Sequence, residues 1–302
     1  MLPLRFLAYL AGVVLLSALV SPPLYWIGTW LAEAGLLPMV KGFPFHRYFS
    51  RSVQISSLLL LWPAFRWIGV RRFSELGIEK NSHRLRDVLL GFLLAFVPVV
   101  VLGGGYFLLD WMQFRGGVSI FALVKIFSTA AVVSCVEELL FRGVLLGLLI
   151  MAMRRSFAIV SSAFFFALVH FLKSSKSPVL ESVGWGSGFS ELSRIFSGAP
   201  PWPVFLWGML SLMVAGFILG MAATKTRSLF LPIGLHAGWI IGQQGMQWIG
   251  KWRENPADAT LPWVGPNVVS GSVPTGIVPI LVLIFTGLSV IFYLKHAARQ
   301  SS

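Results

Sequence analysis

A single cysteine, Cys135, occurs in 302 residues. No intrachain disulfide can form, so cysteine usage gives no reading of the redox compartment. Charge is scarce as well. Charged residues make up 12% of the chain, about half the share of an ordinary soluble domain. Acids are the rarer sign, 11 against 24 basic residues, for a net charge of +13. A strongly basic chain invites a nucleic-acid reading. Here, however, Lys and Arg flank apolar runs, which is the pattern of membrane topology. No nucleic-acid partner is expected. The chain has no internal repeat, no low-complexity tract and no HExxH sequence, so a zincin-like metal site is unsupported. The apolar N-terminal run is longer than the about 7–15 apolar residues typical of a signal peptide, and it reads as a retained first span.

Apolar sequence is abundant. Hydrophobic residues reach 56%, with a mean hydropathy of +0.80. Several runs approach or exceed the ~18 residues that suffice to cross a bilayer as a helix. They are continuously apolar rather than alternating, which argues against a β-barrel. The expected fold is all-α: a polytopic transmembrane helix bundle, one membrane domain over 1–302, with its site inside the bundle. About eight spans are expected, at 6–31, 52–70, 88–109, 118–153, 156–172, 204–223, 228–249 and 277–294. The fourth would extend about 54 Å as a straight helix, too long for one crossing, so a break is expected near its charged residues. Segment 71–87 is expected to be a surface connector with an amphipathic helix. Segments 173–203 and 250–276, rich in Gly, Pro, Ser and Trp, are expected to be loops that cap a site opening outward or lie at the membrane interface. The distribution of Lys and Arg places both termini on the cytoplasmic side.

Within the fourth run stands CVEELLFRG, residues 135–143. Ionised side chains inside a membrane are costly and mark functional positions facing the bundle interior. Glu138 and Arg142 are separated by four residues, so they share a helix face and can pair. Glu137 is turned about 100° from Glu138 and is free of that pairing. One carboxylate reads as structural, the other as available for chemistry. Cys135 reads as a small apolar side chain buried in the bundle, against the rival of a thiol nucleophile acting with Arg142 and His170.

Two further polar residues bear on Glu137. Arg154–Arg155 marks a tight helix–helix turn. Glu137 lies about 25 Å before that turn and His170 about 22 Å after it, counted along helices. The two therefore share a depth. Phe166, four residues before His170, is placed to pack on the imidazole. His236 sits about 13 Å from Arg227 along its own helix, and helix tilt or an unwound turn at Pro232–Gly234 is expected to bring it level. A carboxylate beside an imidazole can activate water. A second imidazole can stabilise an oxyanion. The same set, Glu137, His170 and His236, can also hold a divalent metal such as zinc with bound water.

The combination of Glu137-Glu138-x3-Arg142, Phe166-x3-His170 and His236-Ala237 resembles the CAAX protease and bacteriocin-processing family. Members are intramembrane endopeptidases similar to the type II CAAX prenyl endopeptidase. The resemblance covers about 130–245 as a catalytic core. It implies a multi-pass hydrolase, in a bacterial inner membrane, that acts on a peptide or membrane-protein substrate. By this resemblance Glu137 and His170 activate water, His236 stabilises the oxyanion, and Glu138, Arg142 and Phe166 shape the site, with a metal such as zinc as a possible cofactor. One position departs from the family pattern. Asn or Asp usually follows the last histidine by four residues, and here that residue is Ile240; Gln243 and Gln244 stand one turn later. A non-catalytic relative, serving bacteriocin immunity, partner binding or transport, is the alternative.

Overall fold

The structure is a computed structural model. It describes residues 2–76, 78–117, 119–172, 182–195, 197–253, 261–265 and 275–300. In chain order the elements are α1 (Leu2–Glu33), α2 (Phe45–Ile68), α3 (Arg84–Leu108), β1 (Met112–Phe114), α4 (Ile120–Glu138), a π-helical segment (Leu139–Leu145) and α5 (Leu146–Ala152). Then follow α6 (Arg155–Val169), α7 (Ser187–Ser193), α8 (Trp202–Thr226), α9 (Phe230–Ile249), β2 (Gly250–Trp252) and α10 (Ile277–Gln300). Most of each expected span is helical. Five stretches among the described residues are long and apolar enough to cross a membrane: Ala8–Glu33, Arg84–Leu108, Ile120–Ala152, Trp202–Thr226 and Ile277–His296. Arg155–Val169 is apolar but shorter. Helices α2 and α9 also occupy expected spans and are more polar: α2 carries Arg47, Arg51 and Arg66, and α9 carries Gln243, Gln244 and Gln247. The chain is an integral membrane protein of all-α class.

The chain divides into two compact units: Met1–Arg71 with Phe171–Ala199, and Arg72–His170 with Pro200–Ser302. In the first, α1 packs along α2, where the Ser52 hydroxyl donates to the Ser17 carbonyl at 2.9 Å. The short α7 seats on α1 through Gly188, where a Cβ would collide with the Ala18 carbonyl. Trp26 Nε1 donates to the Val183 carbonyl at 3.1 Å. Of the two expected capping loops, 173–181, 196, 254–260 and 266–274 lie outside the described residues.

The second unit holds every expected site residue. Its most extensive helix pair is α3 with α9. Gly234, Gly238 and Gly242 recur every four residues and form one stripe on α9. A Cβ on Gly238 would stand 2.5 Å from the Phe92 carbonyl oxygen, and one on Gly234 would strike that of Val88. Small residues thus let the two backbones approach. At about 100° per residue the stripe faces away from His236, which turns toward α4. Across the unit, α6 packs on α8 through Gly216, whose Cβ would meet Ala163 Cα at 3.0 Å. A two-stranded antiparallel ribbon, Met112 opposite Trp252, joins the far ends of α3 and α9. At the near ends, buried Asp87 accepts from Asn81 Nδ2 at 2.8 Å and from the Tyr293 hydroxyl at 3.0 Å, while Asn81 Nδ2 also reaches Ser228 Oγ at 3.0 Å.

Three expectations are corrected here. Segment 71–87 forms no amphipathic helix among the described residues. It makes one 3₁₀ turn, Phe73–Leu76, before α3 begins at Arg84. Leu76 is buried against Gly147, where a side chain would leave it no room, so the connector folds back onto α5. Of the two ways expected to bring His236 level, the unwound turn at Pro232–Gly234 is absent, and α9 is continuous from Phe230. Pro232 lies in the first turn, where its missing N–H removes no intrahelical bond. Cys135 is exposed rather than buried, since two residues turn it about 200° away from Glu137.

Candidate active site

The break expected in the fourth run is the π-helical segment Leu139–Leu145, immediately after the two glutamates. Its wider turn shows in the bond from the Leu146 N–H to the Phe141 carbonyl, five residues back. The Ser162 hydroxyl donates to the same carbonyl at 3.3 Å. Serine on α6 thus helps satisfy backbone where the ladder changes period, and π-helical turns of this kind recur at functional sites.

Glu138 and Arg142 form the expected pair, Oε1 to Nη1 at 3.0 Å, with both side chains fully buried. The guanidinium lies over the Phe166 ring, 4.2 Å from its centroid, and Nη2 donates to the Gly216 carbonyl at 3.4 Å. Buried charge is tolerable only with such partners on most sides. Phe166 is the hub of the cluster. Its ring centroid stands 4.6 Å from that of His170 and 5.9 Å from that of His236, and it meets Phe141 edge-on at 5.2 Å.

Glu137, His170 and His236 come together. Glu137 Oε2 is 3.7 Å from His170 Nε2 and 3.9 Å from His236 Nε2. Each imidazole is held from its far side. His170 Nδ1 lies 2.6 Å from the Phe166 carbonyl oxygen. A carbonyl only accepts, so Nδ1 carries the proton. His236 Nδ1 lies 2.8 Å from Glu138 Oε1, which fixes the same tautomer when Glu138 is ionised. His170 therefore turns an Nε2 lone pair toward Glu137 Oε2, and His236 Nε2 faces the same oxygen. That oxygen is buried and has no hydrogen-bond partner among the described residues, as is also true of Glu138 Oε2 and Arg142 Nε. A cluster of acceptors around one buried oxygen calls for a proton donor between them, and water is the simplest.

Metal ligation fits less well. Ligand atoms around one tetrahedral zinc stand about 3.3 Å apart, given bonds of about 2.0–2.1 Å. The separations of 3.7 Å and 3.9 Å exceed this. Among the described residues no group of three or more His, Cys, Asp or Glu side chains is arranged to hold a metal ion.

Two contributors escaped sequence reasoning. The Gly216 carbonyl on α8 receives Arg142; the small-residue spacing of Gly216 and Gly220 was the available signal. Glu138 orients His236 as well as pairing with Arg142, and no local spacing could show this, because the two lie 98 residues apart. Of the residues weighed against Ile240, Gln243 shares the face of His236, at about −20° on the helix, whereas Gln244 is turned by about 80°. Gln243 Oε1 is buried and without a hydrogen-bond partner among the described residues.

No curated protein matches the chain, and no solved structure matches it. The model of one family does match, over residues 119–241, a segment that contains every residue of the cluster. It is the family described as type II CAAX prenyl endopeptidase Rce1-like, a protease family, and over this segment the chain is recognised as similar to it.

Proposed function

We propose that this protein is an intramembrane endopeptidase that hydrolyses a peptide bond with a water activated by Glu137 and His170. The observation that carries this reading is the convergence of two Nε2 atoms on one carboxylate oxygen that has no hydrogen-bond partner among the described residues. A water there donates one proton to Glu137 Oε2 and the other to His170 Nε2, which leaves a lone pair for the substrate carbonyl. As the new C–O bond forms, Glu137 takes a proton from the water. The carbonyl oxygen becomes an oxyanion. His236 protonated at both nitrogens donates Nδ1–H to Glu138 and Nε2–H to that oxyanion. Before attack two carboxylates face one guanidinium and one imidazolium, and after it Glu138 and the oxyanion face the same two cations, so the cluster has no net charge at either stage, which suits its setting in a membrane. When the tetrahedral intermediate collapses, the C–N bond breaks and Glu137 passes its proton to the departing nitrogen. Glu138, Arg142 and Phe166 touch no reacting atom in this scheme and position the three residues that do.

The substrate in this reading is a peptide or a membrane-protein segment presented within or beside the bilayer. The protein sits in a bacterial inner membrane with both termini cytoplasmic, in line with the placement of Lys and Arg. A second reading, a non-catalytic relative serving partner binding, bacteriocin immunity or transport, draws its support from Ile240, which can neither donate a hydrogen bond nor bind a metal. The test is cleavage of a panel of quenched fluorogenic peptides, prenylated and unprenylated, by the purified protein in liposomes. Turnover by wild type that is lost in Glu137→Gln supports the endopeptidase. Equal signals from the two proteins would favour the non-catalytic reading.

A further inference from the structure

A cavity of about 490 Å³ lies in the second unit, lined by the 3₁₀ turn, the π-helical segment, α5, the start of α6 and the α8–α9 junction. It is distinct from the cluster around Glu137. Neither Glu137, Glu138, His170 nor His236 lines it, and Arg142 is the one residue that it shares with them. From these features we infer that the cavity is a binding site for a phosphate-bearing amphiphile, the headgroup and upper chain of an anionic phospholipid.

Charge is the first argument. Arg142, Arg155, Lys225 and Arg227 line the cavity, against Glu75 as the acid among its lining residues. Arg142 is engaged by Glu138 and Arg227 by Glu79. Arg155 and Lys225 are exposed and have no hydrogen-bond or ion-pair partner among the described residues. Two uncommitted cations on neighbouring helix ends suit a phosphate, whose oxygens accept from both.

Position is the second. Lys225 lies in the last turn of α8. That helix of 25 residues is about 37 Å long, which exceeds a hydrocarbon core of about 30 Å. Its charged end therefore reaches headgroup level. Arg155 opens α6 and lines the same cavity, so it lies at that level too. Basic pockets between membrane helices at this depth are where anionic headgroups bind.

The wall is the third. Leu76, Leu146 and Ile150 line the same cavity, so part of its wall is apolar. A free phosphate has no use for that surface, whereas the glycerol and first methylenes of a lipid do. Because the cavity reaches Arg142, an occupant would adjoin the residue that pairs with Glu138 and lies over Phe166.

This inference does not depend on the proposed peptidase activity, and its test needs no substrate. The full chain is stripped of lipid in neutral detergent. It is then titrated with phosphatidylglycerol, phosphatidylcholine and inorganic phosphate, and read by native mass spectrometry and by thermal shift. One phosphatidylglycerol is expected to be retained preferentially over phosphatidylcholine, and Arg155→Ala/Lys225→Ala is expected to weaken it at least tenfold. Lys41→Ala/Lys251→Ala, which removes two cations elsewhere, is expected to leave it unchanged. Arg155→Gln and Lys225→Gln tested singly serve if the double variant is not monodisperse. Equal protection by inorganic phosphate, lost in the same variants, would uphold the phosphate site and overturn the lipid as its source. Unchanged lipid retention in the double variant, or equal loss in the control, would overturn the site itself.

Discussion

His236 Nδ1 stands 2.8 Å from Glu138 Oε1, so the carboxylate that neutralises the buried arginine also orients a histidine from a helix 98 residues away. The pair divides the two adjacent glutamates by environment. Glu138 is fully buried and engaged by Arg142 and His236. Glu137 presents to two imidazoles an oxygen without a hydrogen-bond partner among the described residues.

Substitutions at the two glutamates and the arginine are expected to separate folding from activity. Arg142→Ala leaves Glu138 buried without its counter-charge, and breaking such a pair costs about 3–5 kcal/mol. A large fall in folded yield and in the thermal midpoint is expected. Glu137→Gln keeps size and shape, so yield should stay near wild type while peptide hydrolysis disappears. Thermal unfolding in detergent beside a cleavage assay measures both. Equal destabilisation by the two substitutions would contradict the division of roles.

Glycines on α9 differ sharply in what they tolerate. Gly234→Ala and Gly238→Ala place a methyl group against the α3 backbone, so α9 must move away and carry His236 with it. Overpacking of this kind costs about 1–3 kcal/mol. Gly245→Ala meets open space and is expected to be neutral or to stabilise by up to about 1 kcal/mol. Loss of activity at Gly245 comparable to that at Gly234 would show that close approach to α3 is not what places the histidine.

Chelation bears on the chemistry of the cluster. With donor separations wider than those around one zinc, hydrolysis is expected to survive prolonged treatment with a strong chelator. Elemental analysis of active protein should return well under one zinc per chain. Activity lost on chelation and restored by zinc would mean that Glu137, His170 and His236 close onto a metal.

Ile240 offers a gain-of-function test. It lies about 40° around α9 from His236, one turn away, and has no polar atom to offer an oxyanion. Ile240→Asn supplies a donor there, and one such donor is worth up to about 10²-fold in turnover. An increase in kcat with little change in KM is expected. If Gln243 already serves this purpose, Gln243→Leu should lower turnover in wild type and lower it less in Ile240→Asn. No response to either change would remove this face of α9 from the reaction.

Much of the fold was legible because a membrane limits the choices. Long apolar runs have to be helices, since only a helix satisfies its own backbone bonds in hydrocarbon, and most of each expected span proved helical. The shared depth of Glu137 and His170 was also legible, because a tight turn at Arg154–Arg155 and a fixed rise per residue leave little freedom between two antiparallel helices. The pairing of Glu138 with Arg142 followed from helical spacing alone. Other features required the packed structure. Sequence spacing marked a break in the fourth run, but only the backbone shows a π-helical segment with Ser162 satisfying its carbonyl. The unwound turn expected at Pro232 was unnecessary, because the glycine stripe sets α9 against α3 and leaves the opposite face, with His236, toward α4. Apolar patterning and helical rise are local properties, written residue by residue along the chain. The contact of Glu138 with His236, the seat of Phe166 beneath Arg142 and the cavity beneath Arg155 and Lys225 depend on which helix faces meet, and only the tertiary packing decided that.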